Sequence, residues 1–172
     1  MRNVRALMIL LALLAVSSLS VAADPTTGKA VAQPRSTADV VTVKVLPAKL
    51  AAKAGAEVSF QIDLAIADTW HLYDHRYAED AESFFIGVDL MPGEEADLAG
   101  FRASFPAGKE GEFIGEKVYM LHHQAAIDVT VTLPADAQGE VTVPFVLSAQ
   151  ACDNSICLQP SDIPVLVHVA VE

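Results

Sequence analysis

Five stretches of the chain alternate between apolar and polar residues with a period of two. The clearest is 58–66, in which every second residue is valine, phenylalanine, isoleucine or leucine. Alternation of this kind places one face of a β-strand in a core and the other face in solvent. The other four stretches are 41–45, 127–133, 141–145 and 163–171.

Shorter and less regular apolar stretches predict further strands between these. They lie at 70–73, 84–90, 101–105 and 117–121. Glycine- and proline-containing turn sequences at 54–55, 91–93, 106–108 and 134–139 separate the stretches. Seven to nine short strands joined by polar turns predict an all-β fold, an antiparallel β-sandwich. The alternation of strands and helices that a thioredoxin fold requires is absent from the pattern.

Residues 1–23 have the three-part layout of a secretory signal peptide. Arg2 and Arg5 form a short positive region, residues 6–16 are an unbroken apolar run, and small residues follow. The apolar run is too short for a transmembrane helix, which needs about 20 residues. We therefore expect cleavage near Ala22 or Ala23 and an exported protein, periplasmic or secreted, without a stable membrane anchor.

The segment that follows the predicted signal, 24–39, is rich in threonine, proline and alanine and shows no periodicity. We predict a flexible leader there and a single β-sandwich domain over 40–172. The whole chain has 22 acidic and 11 basic residues and a net charge of −11. A nucleic-acid-binding protein needs clustered lysine and arginine, and an anionic lipid surface attracts positive charge, so both partners are excluded.

The candidate chemistry is a cysteine pair, Cys152 and Cys157, separated by the turn-forming sequence 153–156. Export places these thiols where disulfides persist. A bridge between them closes so small a loop that it stabilises the fold by only about 2 kcal/mol. The spacing leaves a redox role and an inert structural role equally open. A zinc site is less favoured, because His122 and His123 do not complete a recognised ligand spacing.

Three segments resemble a known family. The first, 150–160, has the sequence Gln-Ala-Cys-Asp-x-x-x-Cys-Leu-x-Pro. It resembles the N-terminal periplasmic domain of the thiol:disulfide interchange protein DsbD. Asp-Thr-Trp-His-Leu-Tyr at 68–73 is similar to the aromatic strand of that family, and Glu-Phe-Ile-Gly-Glu-Lys at 112–117 is similar to its cap loop. The similarity extends from about Val40 to the C-terminus, with Ile114 in a place where the family often has an aromatic residue.

The resemblance implies an immunoglobulin-like β-sandwich whose cysteine pair, Cys152 and Cys157, relays reducing equivalents. The domain would accept electrons from a separate membrane electron donor and pass them to thioredoxin-like periplasmic proteins. It would thus act as a component of a protein-disulfide reductase.

The resemblance also implies a set of residues around the cysteines. Phe113 would be the cap aromatic that shields the pair, with Glu112 beside it. Trp70 and Tyr73 would line the neighbouring surface. Because Asp153 adjoins Cys152, the domain is strongly negative and the loop itself contains no basic residue, we expect raised rather than lowered pKa values for the two thiols.

Two other functions remain open at the level of sequence. One is a non-catalytic interaction module with a permanent disulfide. The other is a metal-binding chaperone that uses some of the 5 histidines together with the cysteines. The chain has no Ser/His/Asp set and no phosphate-binding loop, and we expect no cofactor and no resident metal.

Overall fold

Twelve β-strands build the fold in a computed structural model of the chain, which describes residues 33–94 and 98–172. A 3-10 turn (Thr37–Asp39) precedes them, and one short helix, α1 (Arg76–Glu79), lies between the fourth and fifth strands. The strands are β1 (Val41–Leu46), β2 (Leu50–Ala52), β3 (Glu57–Ile66), β4 (His71–Tyr73), β5 (Asp89–Pro92), β6 (Ala99–Ser104), β7 (Lys109–Phe113), β8 (Glu116–His122), β9 (Gln124–Thr132), β10 (Glu140–Ala149), β11 (Ala151–Cys152) and β12 (Ser161–Val171).

The strands form three four-stranded sheets. Two larger sheets have the orders β1-β3-β9-β6 and β2-β12-β10-β5, and a smaller third sheet has the order β11-β4-β8-β7. All pairings are antiparallel except the short pairing of β2 with β12, which is parallel. The prediction of an all-β, immunoglobulin-like antiparallel sandwich is therefore confirmed.

The core lies between the two larger sheets, and the period-two pattern explains why. Along β3 every second residue is buried, as the alternation of apolar residues predicts. Phe145 on β10 joins the sheets, because its ring centroid lies 5.9 Å from that of Phe60 on β3 and 5.7 Å from that of Phe101 on β6.

The small third sheet has two apolar faces with different roles. Ala151, Leu72 and Leu121 pair across β11, β4 and β8 and belong to the main core. The residues next to them in sequence point to the opposite face, since side chains alternate along a strand. That face carries Cys152 and Tyr73 in a second, separate apolar cluster.

The structure corrects the predicted strand at 84–90. Residues 84–88 do not form a strand. Strand β5 begins at Asp89, and its last two residues overlap the predicted turn at 91–93. Gly87 packs so closely that an added Cβ would lie 2.5 Å from backbone atoms of Asp74 and Ala78, which a regular strand with side chains does not permit. Strands β2, β7 and β11 and helix α1 were not predicted, because they are short and lack alternation.

The domain also begins before Val40, the predicted start. Thr37 is fully buried and Ser36 forms a bridge with Gln159. The last residues of the predicted leader are thus part of the folded domain. The predicted signal peptide, its cleavage site and the first part of the leader lie outside the described residues.

No helix within residues 33–94 and 98–172 has the length and apolar character needed to cross a lipid bilayer.

Candidate functional site

Cys152 and Cys157 form a disulfide at the two ends of a tight four-residue turn. Their Cα atoms are 4.0 Å apart, and the two residues face each other as an antiparallel bridge. The Asp153 carboxylate organises the turn, because its Oδ1 accepts hydrogen bonds from the backbone N–H groups of Ser155 (2.7 Å) and Ile156 (2.8 Å). These two bonds lower the pKa of the Asp153 carboxyl below its ordinary value, so the carboxylate is charged at neutral pH.

The base of this turn is fastened by Thr37 from the N-terminal end of the domain. The Thr37 hydroxyl accepts a hydrogen bond from Ala151 N–H (2.8 Å) and donates one to the carbonyl oxygen of Gln159 (3.0 Å). The Leu158 N–H donates to the Ala151 carbonyl at 2.8 Å. The two chain segments that carry the cysteines are therefore held together by backbone and side-chain hydrogen bonds as well as by the disulfide.

The two cysteines differ in their access to solvent. Cys152 has no exposed surface, whereas Cys157 is exposed. Cys152 lies on β11, the edge strand of the third sheet, while Cys157 follows the turn outside any strand. A reagent approaching from solvent therefore meets Cys157 first.

An aromatic cluster surrounds Cys152 on its face of the third sheet. Its buried members are Tyr73, Phe113, Val118 and Cys152, and Phe113 is only 7% exposed. The Phe113 ring centroid lies 6.2 Å from that of Tyr73 and 6.1 Å from that of Phe85, both at steep angles typical of edge-to-face packing. The partly buried side chains packed against this cluster are Tyr77, Phe85 and Met120.

Phe113 ends β7 at the tip of a tight hairpin. The turn residues Ile114 and Gly115 have φ angles of 53° and 80°, the left-handed pair of a two-residue hairpin. Glycine adopts this conformation without cost, but a β-branched residue is strained there. Ile114 is in addition 82% exposed, so an apolar side chain stands at the tip beside the cysteine cluster.

The structure places the four other predicted site residues differently from one another. It brings Phe113 and Tyr73 into the cluster with Cys152, but Tyr73 is fully buried and does not line a surface. Trp70 packs against the main core instead, on the other side of the third sheet. Glu112 is exposed opposite Lys117 and points away from the Phe113 side of β7, because neighbouring side chains on a strand alternate.

His71 is the residue at this site that sequence reasoning missed. It pairs directly with Cys152 on one side and with His122 on the other, and its ring lies 5.4 Å from that of Tyr73 and 6.1 Å from that of Phe113. Burial is the main cause that lowers its pKa to about 4, and the neighbouring His122 adds to it. His71 stands inside the aromatic strand motif, but nothing local to the cysteine loop indicated the contact.

Two polar atoms of this cluster are buried without a hydrogen-bond partner. They are Nε2 of His71 and the hydroxyl oxygen of Tyr73, and no other buried side-chain atom of the described residues shares this state. Burial raises the pKa of Tyr73 to about 12, with a smaller contribution from Tyr77. Both side chains are therefore neutral near pH 7.

Within the part of the chain that the structure describes, no three histidine, cysteine, aspartate or glutamate residues are grouped closely enough to hold a metal ion.

Comparison with protein families places the chain. The family described as thiol:disulfide interchange protein DsbD, N-terminal, matches residues 37–167. The chain belongs to the DsbD N-terminal domain family. The match begins at Thr37 and includes both cysteines, Phe113 and His71, and it confirms the resemblance found in the sequence. A comparison with curated proteins found no match.

One solved structure shares the fold at low sequence identity. The N-terminal periplasmic domain of ScsB from Proteus mirabilis is 12% identical with a TM-score of 0.56, over 75% of this chain. This chain spans 46% of the length of that ScsB structure. The reduced DsbD N-terminal domain of Neisseria meningitidis is 23% identical with a TM-score of 0.43, covering 66% of this chain and 79% of the other. A complex of the DsbD and PilB N-terminal domains from the same organism gives 19% identity and a TM-score of 0.40, covering 74% and 80%.

Proposed function

We propose that this domain relays reducing equivalents through Cys152 and Cys157 by thiol–disulfide exchange with thioredoxin-like partners in the periplasm. The observation that carries the proposal is the unequal burial of the two cysteines in a chain of the DsbD N-terminal family. Exchange requires a thiolate to reach one sulfur in line with the S–S bond. Because Cys157 is exposed and Cys152 is buried, a partner thiolate can reach this disulfide only at the Cys157 sulfur.

The partner thiolate attacks Cys157, and the buried Cys152 is the leaving group. The intermediate is a mixed disulfide between the partner and Cys157, with Cys152 as the free thiol. A second thiol of the partner then attacks the partner sulfur that is bonded to Cys157. This step breaks the mixed disulfide and releases Cys157. The domain gains two electrons and the partner becomes a disulfide. In the reverse direction the same steps reduce the partner.

Phe113 acts as the cap of the site in this proposal. It is packed with Cys152 and Tyr73 at the end of the β7–β8 hairpin, so it shields the buried sulfur and leaves the exposed cysteine to a docking partner. Glu112 is exposed opposite Lys117 and Trp70 packs against the main core, and the proposal gives them no part in the exchange. A separate membrane protein is proposed as the electron donor, on the strength of the family alone.

Two measurements test the relay. The first is the reduction potential of the isolated domain, which should lie above about −300 mV, since inert structural disulfides lie below that value. The second is trapping of a mixed disulfide in exported extract. Cys152→Ala leaves the exposed Cys157 thiol and should trap partners, whereas the matched variant Cys157→Ala leaves a buried thiol and should trap few.

The outcomes separate the candidate functions. A potential below −300 mV with no trapped partner would indicate a permanent bridge in a non-catalytic interaction module. Equal trapping by both variants would contradict the assignment of Cys157 as the attacked residue. Binding of one equivalent of a soft metal ion by the reduced protein, without trapping, would favour the chaperone function.

A further inference from the structure

His71 and Cys152 lie side by side on the concealed face of the third sheet. They are direct partners in the antiparallel pairing of β4 with β11, and directly opposed residues in such a pair have Cβ atoms about 5 Å apart on one face. His71 is only 3% exposed, so its imidazole is enclosed with the buried sulfur. This proximity joins residues that are far apart in the chain.

One nitrogen of the His71 ring has no hydrogen-bond partner while Cys152 and Cys157 form the disulfide. Its Nε2 is buried and has no partner. A disulfide sulfur carries no proton to donate and is at best a weak acceptor. A buried polar atom in this state costs free energy, so a native structure that keeps one calls for an explanation.

The groups that face His71 leave it neutral. They are His122 on β8, Tyr73 on the same strand, Phe113 on β7 and Asp153 just after β11. Burial and His122 disfavour the imidazolium more than Asp153 favours it. A neutral imidazole has one N–H and one nitrogen lone pair, so it is able to donate to a thiolate or to accept from a thiol.

We propose that His71 is the hydrogen-bond partner of the Cys152 sulfur in the reduced protein and thereby favours the reduced form. The inference rests on the proposed function. When a partner thiolate attacks Cys157 Sγ, a new S–S bond forms, the Cys152–Cys157 bond breaks, and its electron pair stays on Cys152 Sγ. The His71 N–H stabilises that thiolate without transferring its proton, and after the thiolate takes up a proton from water its sulfur still accepts, more weakly, from the same N–H.

The test is the equilibrium of the isolated protein with reduced and oxidised glutathione. His71→Phe keeps an aromatic ring but removes both nitrogens. We expect the equilibrium constant for reduction to fall about tenfold, equivalent to about 30 mV toward a more reducing potential. His71→Gln, which returns an amide near the position of Nε2, should recover most of the change.

Matched variants separate this role from a merely structural one. His122→Phe alters the exposed neighbour on the same face and should leave the equilibrium unchanged. The difference between the native protein and His71→Phe should also stay constant from pH 6 to pH 8, because a neutral donor does not titrate there. If the phenylalanine variant does not fold, His71→Leu gives the same comparison.

An equilibrium constant that is unchanged in His71→Phe, or equally lowered in His122→Phe, would overturn the proposal. A difference that grows toward pH 6 would also overturn it, since that result requires a charged imidazolium. These outcomes can be told apart from a failure of the proposed electron relay. Failure to trap any partner would reject the proposed function, while the glutathione or dithiothreitol equilibrium would still report whether His71 stabilises the reduced cysteine.

Discussion

Replacing Thr37 with valine tests how the cysteine turn is held to the rest of the domain. The change keeps the shape of the side chain, since both residues are β-branched, and removes the hydroxyl. That hydroxyl accepts from Ala151 N–H at 2.8 Å and donates to the Gln159 carbonyl at 3.0 Å. Thr37→Val therefore perturbs hydrogen bonding at the base of the turn with little change in packing.

The expected loss of stability follows from the two backbone groups that lose the Thr37 hydroxyl as a hydrogen-bond partner. The Ala151 N–H is fully buried and loses its acceptor, which costs about 1–3 kcal/mol. The Gln159 carbonyl still accepts from the Thr37 backbone N–H at 3.0 Å, so it adds little. We expect a loss of about 2 kcal/mol in the free energy of unfolding.

Urea unfolding of the oxidised protein measures this loss. With a slope of about 2 kcal/mol per molar, typical of a small protein, the midpoint should fall by about 1 M. Thr37→Ser keeps the hydroxyl and loses a methyl group, so it should cost less, about 1 kcal/mol. Thr142→Val is the matched control, because the Thr142 hydroxyl bonds His168 at 3.0 Å on the exposed surface. A Thr37→Val protein that is as stable as the Thr142→Val control would refute the reasoning.

Three further predictions concern the residues around Cys152. Phe113→Ala should lose about 3 kcal/mol of stability and speed reduction by dithiothreitol, measured by thiol titration; an unchanged rate contradicts the cap. Ile114→Asn should raise stability by about 1 kcal/mol in thermal unfolding, because asparagine tolerates positive φ and removes an exposed apolar side chain; a loss would show that Ile114 packs. Burial lowers the pKa of His71 to about 4, so the folded protein should lose stability in acid. Since the unfolded histidine binds a proton near pH 6.5 and the folded one does not, stability should be complete above pH 6.5 and fall by up to roughly 3 kcal/mol as the pH drops to 4. A pH profile for His71→Phe that parallels the native one would contradict this.

The exposed hairpin tip and the buried cluster show two ways in which the site departs from ordinary folding rules. Ile114 combines backbone strain with exposure, and His71 combines burial with an unpartnered nitrogen. The first lies at the tip of the hairpin whose strand ends at Phe113, and the second lies beside Cys152 in the third sheet. Strain and unsatisfied polar groups persist where surrounding structure enforces them, and they concentrate at functional sites.

The amino-acid sequence by itself determined the layers of the sandwich. Period-two alternation in β1, β3, β9, β10 and β12 states which side chains face the core, because burial along a strand depends on local spacing alone. The cysteine motif and the aromatic strand motif were sufficient to indicate the family. Segment 84–88 was mispredicted because its apolar residues do not share one face: Phe85 packs against the aromatic cluster, Val88 belongs to the main core and Phe84 is exposed.

Only the tertiary structure decided what surrounds the disulfide. Which strand lies beside another depends on the pairing of distant segments, and one-dimensional spacing does not encode it. The pairing of β4 with β11 puts His71 against Cys152, and the N-terminal Thr37 reaches across 114 residues to Ala151. The unequal burial of Cys152 and Cys157 arises from the same packing, because the third sheet covers one sulfur-bearing residue and leaves the other at its edge.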